Sequence, residues 1–209
     1  RKDPHQDIDH VFRDLLPAHG MVERPAQVEL SHQMLDTMLN GSIALCDAGT
    51  GIGKTYAYLV AGVVFRRYRS RAGLPNQPLL ISTSSIALQG AIIHDYLPFL
   101  SKVMMADGML DSPLRAVLRK GKSHYVCDAR LMKRLQTANL DRKNPLAKAA
   151  LLSMRDHLDL DMAPHLSGYD RERICVPPTC DCGKTECRYL CYLDVCASER
   201  YAIQVCNHN

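Results

Sequence analysis

The chain has 209 residues, including nine cysteines and no tryptophan, and its formal net charge is +4. This length is enough for a buried core, and a composition of 46% hydrophobic and 23% charged residues excludes wholesale disorder. The longest apolar run, 56–65, is far shorter than the roughly 20 residues of a membrane-spanning helix, and the first ten residues are polar. We therefore expect no membrane partner and a cytoplasmic location.

Helices and strands alternate along the first part of the chain. Residues 1–24 are predicted to be an irregular or partly helical lead-in, and Pro25 opens a helix over 25–39 that ends at the Asn40-Gly41 turn. The elements predicted next are a strand over 42–47, a glycine-rich loop over 48–53, a helix over 55–68, a strand over 78–83, a helix over 85–97 and a strand over 114–118. This order is typical of a parallel sheet covered by helices.

The remainder of the chain is basic, rich in turns and rich in cysteine. A helical region is predicted over 129–157 with a break at Asn144-Pro145, followed by turns over 163–178. The cysteine cluster comes next. The last predicted elements are a helix end over 198–202 and a short strand over 203–206.

The glycine-rich loop is the sharpest local signal, because it follows a predicted strand and opens a predicted helix. Small residues let its backbone N–H groups turn inward, where they and the helix N-terminus can hold a β-phosphate. Lys54 would reach the β- and γ-phosphates, and the Thr55 hydroxyl would bind Mg²⁺. Ala48 stands where the pattern usually has glycine, which is a mild departure because alanine is also small. A glycine-rich turn without a ligand is the alternative.

Four stretches together resemble the superfamily 2 DNA helicases related to XPD and bacterial DinG. They are residues 24–27 (RPAQ), 47–55 (DAGTGIGKT), 81–89 (ISTSSIALQ) and 120–127 (KGKSHYVC). The resemblance implies an α/β fold, namely an incomplete RecA-like P-loop NTPase parallel sheet with an inserted, mainly helical iron–sulfur subdomain. It also implies ATP and Mg²⁺ as cofactors, because these helicases are driven by ATP.

The resemblance assigns roles to individual residues of the nucleotide site. Gln27 would read the adenine through its amide, with Arg24 assisting. The residues implied to bind ATP in the loop are Ala48, Gly49, Thr50, Gly51, Ile52, Gly53, Lys54 and Thr55.

Two further groups of residues are implied to contact nucleic acid. Ser82, Thr83 and Ser84 would position a strand through its phosphates and sugars, although by spacing alone they fit a polar turn in which Ser84 or Ser85 caps a helix. Residues 115–134 hold seven basic residues and one acidic residue, which suggests a polyanion partner. Within that stretch, the implied contacts are Lys120, Lys122 and Tyr125, with Tyr189 and Tyr192 as further candidates for base stacking. A solvated charged face and packing aromatics are the alternatives.

Six cysteines fall within 22 residues, a density that favours metal binding over a disulfide scaffold in a chain without a signal peptide. The resemblance implies a [4Fe–4S] cluster held by four thiolates, those of Cys127, Cys182, Cys187 and Cys191. The last spacing is shorter than the family pattern, so Cys175, Cys180 and Cys196 stay open as ligands. Zinc is the alternative occupant, followed by disulfides formed during handling. Cys46 and Cys206 are predicted to be small core residues.

The resemblance divides the chain into four parts. These are a lead-in over 1–24, the first part of a RecA-like motor domain over 25–119, an iron–sulfur subdomain over 120–196 and a return to the motor over 197–209. No DEAH-like acidic motif occurs, and residues 202–208 resemble the strand that precedes that motif in the family. We therefore expect the N-terminal portion of a longer helicase, inactive by itself, whose partners include the remaining helicase domains.

The expected function is that of an ATP-dependent DNA helicase. The chain would bind ATP and either single-stranded DNA or a forked duplex, and its parent would unwind 5′ to 3′ in DNA repair or R-loop removal, near the bacterial nucleoid if DinG-like. One alternative is a non-catalytic nucleic-acid-binding module, stabilised by zinc or a cluster, with a vestigial nucleotide site. A metabolic P-loop kinase is another, but it leaves 81–89 and the cysteines unexplained.

Overall fold

The computed structural model describes residues 3–137, 145–180, 182–183 and 187–207. The chain forms two compact units, one of Arg1–Leu118 with Ser198–Asn209 and the other of Arg119–Ala197.

The first unit is a mixed α/β structure, as predicted. Its helices are α1 (Pro4–His10), α2 (Leu16–Ala18), α3 (Pro25–Leu39), α4 (Lys54–Arg71), α5 (Ile86–Ala91) and α6 (Leu97–Ala106), with π turns at Val11–Leu15 and Ile92–Tyr96. Its strands are β1 (Leu79–Ser82), β2 (Ala116–Arg119) and β3 (Ile203–Cys206). The sheet order is β1-β3-β2, and β1 pairs with β3 in parallel, with Leu79 opposite Ile203.

Helix α4 forms the centre of this unit because its middle part, residues 57–64, is apolar on almost every side. Leu59, Val60 and Val64 are fully buried in the main core, against which side chains from α3, α6 and the sheet pack. Gly62 lets the sheet approach closely, since a Cβ at this position would lie 2.4 Å from Cδ1 of Leu79.

The N-terminal segment is more regular than the sequence suggested. Residues 4–18 are helical apart from the single π turn, and Asp3 caps α1 by accepting a hydrogen bond from the His5 amide at 3.0 Å. Of the two expected forms of the lead-in, irregular or partly helical, the partly helical one is therefore confirmed. The missed signal is the helical spacing of four buried apolar residues, Ile8, Val11, Phe12 and Leu16.

The strand predicted over 42–47 does not form. Ile43 is 94% exposed, Leu45 is 100% exposed and Cys46 is exposed, so the prediction that Cys46 lies in the core is also wrong. Within the described residues this segment has no neighbouring strand, and without one its backbone groups cannot join a ladder. The predicted strands over 78–83, 114–118 and 203–206 are confirmed as β1, β2 and β3, and Cys206 is half-buried on β3.

The second unit is mainly helical. Its helices are α7 (Asp128–Thr137), α8 (Pro145–Ser153), α9 (Gly168–Ile174) and α10 (Arg188–Ala197), with short 3₁₀ turns at Lys122–His124 and Leu160–Met162. α8 starts at Pro145, a favourable first helical residue, whereas Asn144 of the predicted break lies outside the described residues. Isolated antiparallel bridges join Tyr125 to Asp159 and Val126 to Cys175.

Two small apolar clusters hold the second unit together. The larger one includes Leu131, Leu151 and Met154, and the smaller one surrounds Tyr125 and Tyr189. Across the part of the chain that is described, no helix combines the length and the apolar character needed to cross a bilayer.

The ring of His10 links α1 to Asp14 and Asp107, at 2.8 Å and 3.0 Å. The hydrogen bond to Asp14 chiefly raises the pKa of His10, with help from Asp107 and against the effect of burial. Because the folded-state pKa is raised, this stabilisation is complete below about pH 6.5 and is lost as the pH rises through the folded-state value.

We expect His10→Gln to lower the free energy of unfolding below pH 6.5 by about 0.2–1 kcal/mol, the range for exposed ion pairs. Thermal melts of the mutant and the wild type, compared at mildly acidic and mildly alkaline pH, measure this difference. The exposed His94, changed to Gln, is the matched control. An equal loss of stability at both pH values would contradict the assignment.

Candidate nucleotide site and thiol cluster

The loop over 48–53 leads directly into the N-terminus of α4. Gly53 caps the helix with φ of +88°, in the left-handed region. A Cβ at this position would also lie 2.2 Å from Nε2 of Gln27, so both conformation and space require glycine.

Side chains of α3 and of Arg24, the residue that precedes it, hold this loop in place. The Gln27 amide donates to the Gly53 carbonyl at 2.7 Å, and the Arg24 guanidinium donates to the Gly51 carbonyl at 2.6 Å. One turn further along, the Ser31 hydroxyl donates to the Ala57 carbonyl of α4 at 3.0 Å. The structure therefore brings Arg24 and Gln27 to the loop, where they brace its backbone, and Gln27 is only 4% exposed.

Lys54 lies over the same loop. Its Nζ donates to the carbonyls of Ala48 and Gly49, at 2.7 Å and 3.1 Å, and the side chain is exposed. Thr55 follows in the first turn of α4 and is half-buried. A lysine ammonium and the positive end of an 18-residue helix thus meet at one short loop, which is an arrangement that attracts anions.

Some polar residues at the end of β1 form hydrogen bonds within the turn, and others are exposed to solvent. The Thr83 hydroxyl accepts from the Ser85 amide at 3.2 Å, and the Ser85 hydroxyl caps α5 by accepting from Leu88. Ser82 and Ser84 are exposed at the carboxyl end of β1. Of the two helix caps that spacing allowed, Ser84 and Ser85, the structure therefore has Ser85.

Gln89 is a buried residue whose role was not predicted. Its amide donates to the Thr83 carbonyl at 3.0 Å, which ties α5 back to the end of β1. The sign of this role is that Gln89 is buried, and only the structure shows it, because the burial of one polar side chain cannot be predicted from a single sequence.

Acidic residues from distant parts of the chain neutralise much of the basic segment. Lys120 Nζ donates to Asp159 at 2.6 Å and to Asp161 at 2.7 Å, and Arg134 pairs with Asp170 at 2.6 Å. Lys122 is exposed and donates to the Pro178 carbonyl at 3.0 Å. The positive charge on the surface is therefore smaller than the charge counted along the sequence.

Asp161 is the hub of this network. Burial alone would raise the pKa of Asp161, but hydrogen bonds from Lys120, Arg171 and His124 outweigh it and hold the pKa well below the usual range. Asp161 therefore stays ionised at neutral pH and remains a counter-ion for Lys120.

Tyr125 lies inside the second unit and is 3% exposed. Its ring centroid is 5.2 Å from those of both Tyr189 and Tyr192, and its hydroxyl accepts from the Lys120 amide at 3.0 Å. Burial in this cluster raises the pKa of Tyr189 and Tyr192. The Tyr125 ring is therefore a packing group in this structure, with no face open for a base.

Four cysteine thiols lie in one region of the second unit. A hydrogen bond with the Cys180 thiol, together with the nearby thiols of Cys127 and Cys187, raises the pKa of Cys182 to about 11. Cys191 lies one helical turn beyond Cys187, to whose carbonyl its amide donates at 3.1 Å.

Two other cysteines have different surroundings. The Cys175 thiol donates to the Glu172 carbonyl at 3.4 Å, and Cys196 is buried beside Tyr192. No disulfide joins the cysteines that the structure describes. Among the described residues, no three His, Cys, Asp or Glu side chains are arranged to hold a metal ion.

The ion pair between Arg188 and Asp128 explains why the thiols gather. Arg188 donates to the Asp128 carboxylate from Nε at 2.8 Å and also caps the Met154 carbonyl at 3.0 Å. Asp128 follows Cys127 and Arg188 follows Cys187 in the chain. The ion pair therefore holds the segments that carry the two cysteines close together.

Comparisons with known proteins relate the chain to bacterial DinG and YoaA proteins. No protein-family model matches the chain. A 3′-5′ exonuclease DinG of Bacillus subtilis is 30% identical over 144 residues, which cover 69% of this chain and 14% of the relative. The ATP-dependent DNA helicase YoaA of Haemophilus influenzae is 30% identical over 129 residues, which cover 62% of this chain and 18% of the relative.

A third relative, the ATP-dependent helicase DinG of Mycobacterium tuberculosis, is 29% identical over 128 residues, covering 61% of this chain and 18% of the relative. The chain therefore spans less than a fifth of the length of each of these relatives. These likenesses, together with the glycine-rich loop and the motifs that flank it, show that the chain belongs to the DinG-like helicase family.

Proposed function

We propose that this chain supplies the nucleotide-binding part of an ATP-dependent DNA helicase. The observation that carries the proposal is the convergence of the Lys54 ammonium, the α4 N-terminus and the Gln27 amide on one loop. The naming of relatives as ATP-dependent helicases supports it.

ATP binding would exchange internal bonds of the loop for bonds to the ligand. Lys54 would leave the Ala48 and Gly49 carbonyls and meet the β- and γ-phosphates, while backbone N–H groups at the start of α4 hold the β-phosphate. The Thr55 hydroxyl would bind Mg²⁺. Gln27 and Arg24 already lie beside the loop and would turn their polar atoms to the adenine.

Hydrolysis requires an acidic group that holds Mg²⁺ and activates water. The sequence contains no DEAH-like motif for this task. We therefore expect this chain to bind ATP without hydrolysing it efficiently, and we assign 5′ to 3′ unwinding, DNA repair and R-loop removal to the longer protein.

DNA would be held through its phosphates. Ser82 and Ser84 are exposed in the first unit, and Lys122 is exposed in the second, so each is open to a phosphate oxygen. Thr83, Lys120 and Tyr125 are less exposed and hold other parts of the fold in place, so we assign them to folding.

The thiols of the second unit would hold a [4Fe–4S] cluster through Cys127, Cys182, Cys187 and Cys191. Soft thiolates suit such a cluster, and the nearness of two of these thiols, those of Cys127 and Cys187, to Cys182 supports the proposal. Cys180 is as close to Cys182 as any of them and is the rival for the fourth position. When bound, the cluster would serve as a structural cross-link for a unit that has only small apolar cores. Zinc on the same thiols is the alternative.

Replacing Lys54 tests the nucleotide site. We expect Lys54→Ala to raise the Kd for a fluorescent ATP analogue by about tenfold or more, because charge-assisted hydrogen bonds to phosphate contribute roughly 1.5–3 kcal/mol. Lys102→Ala, an exposed charge on α6, is the control and should change nothing. Equal affinity in all three proteins would favour a vestigial site.

Replacing Lys122 tests the DNA contact. Each lost phosphate contact should reduce the slope of log Kd against log salt by about 0.7 for a single strand. We expect this from Lys122→Ala in fluorescence anisotropy with a single-stranded oligonucleotide. Lys148→Ala, exposed on α8 and outside the basic stretch 115–134, is the control. An unchanged slope for Lys122→Ala would exclude the contact.

Serine substitutions test the cluster. Anaerobically purified wild type should carry iron and acid-labile sulfide and absorb broadly in the visible range, whereas Cys182→Ser and Cys187→Ser should lose most of both. The control is Cys46→Ser, which should keep them because Cys46 is exposed in the other unit. Comparing Cys180→Ser with Cys191→Ser identifies the fourth ligand. A colourless wild type with stoichiometric zinc would overturn the iron–sulfur assignment.

A further inference from the structure

A second basic site lies in the first unit, in a cavity of about 750 Å³ that neither the loop nor the residues after β1 line. Five arginines line it, and only two acidic residues do, Asp111 and Glu199. The arginines are Arg66, Arg67, Arg71, Arg115 and Arg200.

This cavity is remote from the nucleotide loop. Arg66 lies twelve residues after Lys54 on the same helix, which at 1.5 Å per residue separates them by about 18 Å. The amides of Ala202 and Ile203 both donate to the Arg115 carbonyl, so Arg115 and Arg200 lie where β2 and β3 begin. The cavity is therefore at the amino ends of these strands, whereas Ser82 is at the carboxyl end of β1.

Three of the five arginines have hydrogen bonds or ion pairs to other parts of the protein. Arg66 and Arg67 donate to the carbonyls of Gln77 and Met109, which fastens two loops to the end of α4. Arg67 and Arg71 also share one carboxylate, that of Asp7, at 3.2 Å and 3.1 Å. One acid thus compensates two guanidinium groups.

Arg115 and Arg200 are different. Both are exposed, and in the part of the chain that the structure describes neither takes part in an ion pair. The guanidinium of Arg200 lies over the Tyr201 ring at 6.0 Å, a contact that adds no negative charge. Positive charge in the cavity consequently exceeds what its own acids compensate.

We propose that this cavity binds phosphoryl groups and is a second anion site, separate from the nucleotide loop. Guanidinium groups match phosphate oxygens in two-bond geometry, and arginine remains charged at all physiological pH values. The phosphoryl groups come either from a free phosphorylated molecule or from a nucleic-acid backbone.

Inorganic pyrophosphate, measured by calorimetry, is the first probe. The experiment uses the chain with Lys54→Ala so that the nucleotide loop contributes little. Adding Arg115→Gln with Arg200→Gln should weaken pyrophosphate binding by about tenfold or more, equivalent to at least 1.4 kcal/mol. The charge-matched control adds Arg13→Gln with Lys102→Gln, two exposed positions outside the cavity, and should bind as the parent does.

A single-stranded oligonucleotide then distinguishes the two sources of phosphate. Loss of oligonucleotide affinity in the Arg115, Arg200 variant beyond that in the control identifies the nucleic-acid backbone, and unchanged affinity identifies a free phosphorylated ligand. Arg200→Lys keeps the positive charge but not the planar guanidinium group, so it should lose part of the pyrophosphate affinity. Because this change is conservative, a partial loss also argues against misfolding as the cause. The proposal is overturned if the Lys54→Ala chain does not bind pyrophosphate, or if both double variants weaken it equally. All proteins in this experiment lack Lys54. The pyrophosphate result can therefore be interpreted even if the ATP-binding proposal fails.

Discussion

The packing of α3 against α4 is the constraint on which the nucleotide loop depends. The middle part of α4, residues 57–64, is apolar around most of its circumference, so it is buried at the centre of the first unit, and this places the helix N-terminus. Gln27 and Ser31 of α3 then bond to carbonyls at the start of α4. A glycine at position 53 is what allows the buried Gln27 amide to come so close. Core burial and site geometry are therefore set by the same pair of helices.

The second unit depends more on ion pairs between distant segments. Lys120 bonds to Asp159 and Asp161, and Arg188 bonds to Asp128. These contacts organise a unit whose apolar clusters are small, and the Arg188 fork also gathers the thiols. The basic segment is thus partly a scaffold. Its charge serves the fold first, and only exposed members such as Lys122 remain for a polyanion.

The two basic regions of the first unit have different origins. Lys54 is held at the loop by the helix start, whereas the arginines near the end of α4 lie where cations favourably meet the negative helix terminus. That preference and the loop carbonyls explain Arg66 and Arg67. They do not explain Arg115 and Arg200, which come from other segments and lie near the strand starts.

The sequence alone determined the helices over 25–39 and 55–68, the strand over 203–206 and the loop between Ala48 and Thr55, because periodicity and glycine spacing are local properties. It also indicated the family through short contiguous motifs. Tertiary structure decided the rest. Whether residues 42–47 form a strand depends on a neighbour, and whether Lys120 and Tyr125 face solvent depends on Asp159, Asp161 and Tyr189 far along the chain. Such pairings are long-range, and one sequence records the partners without recording which of them meet.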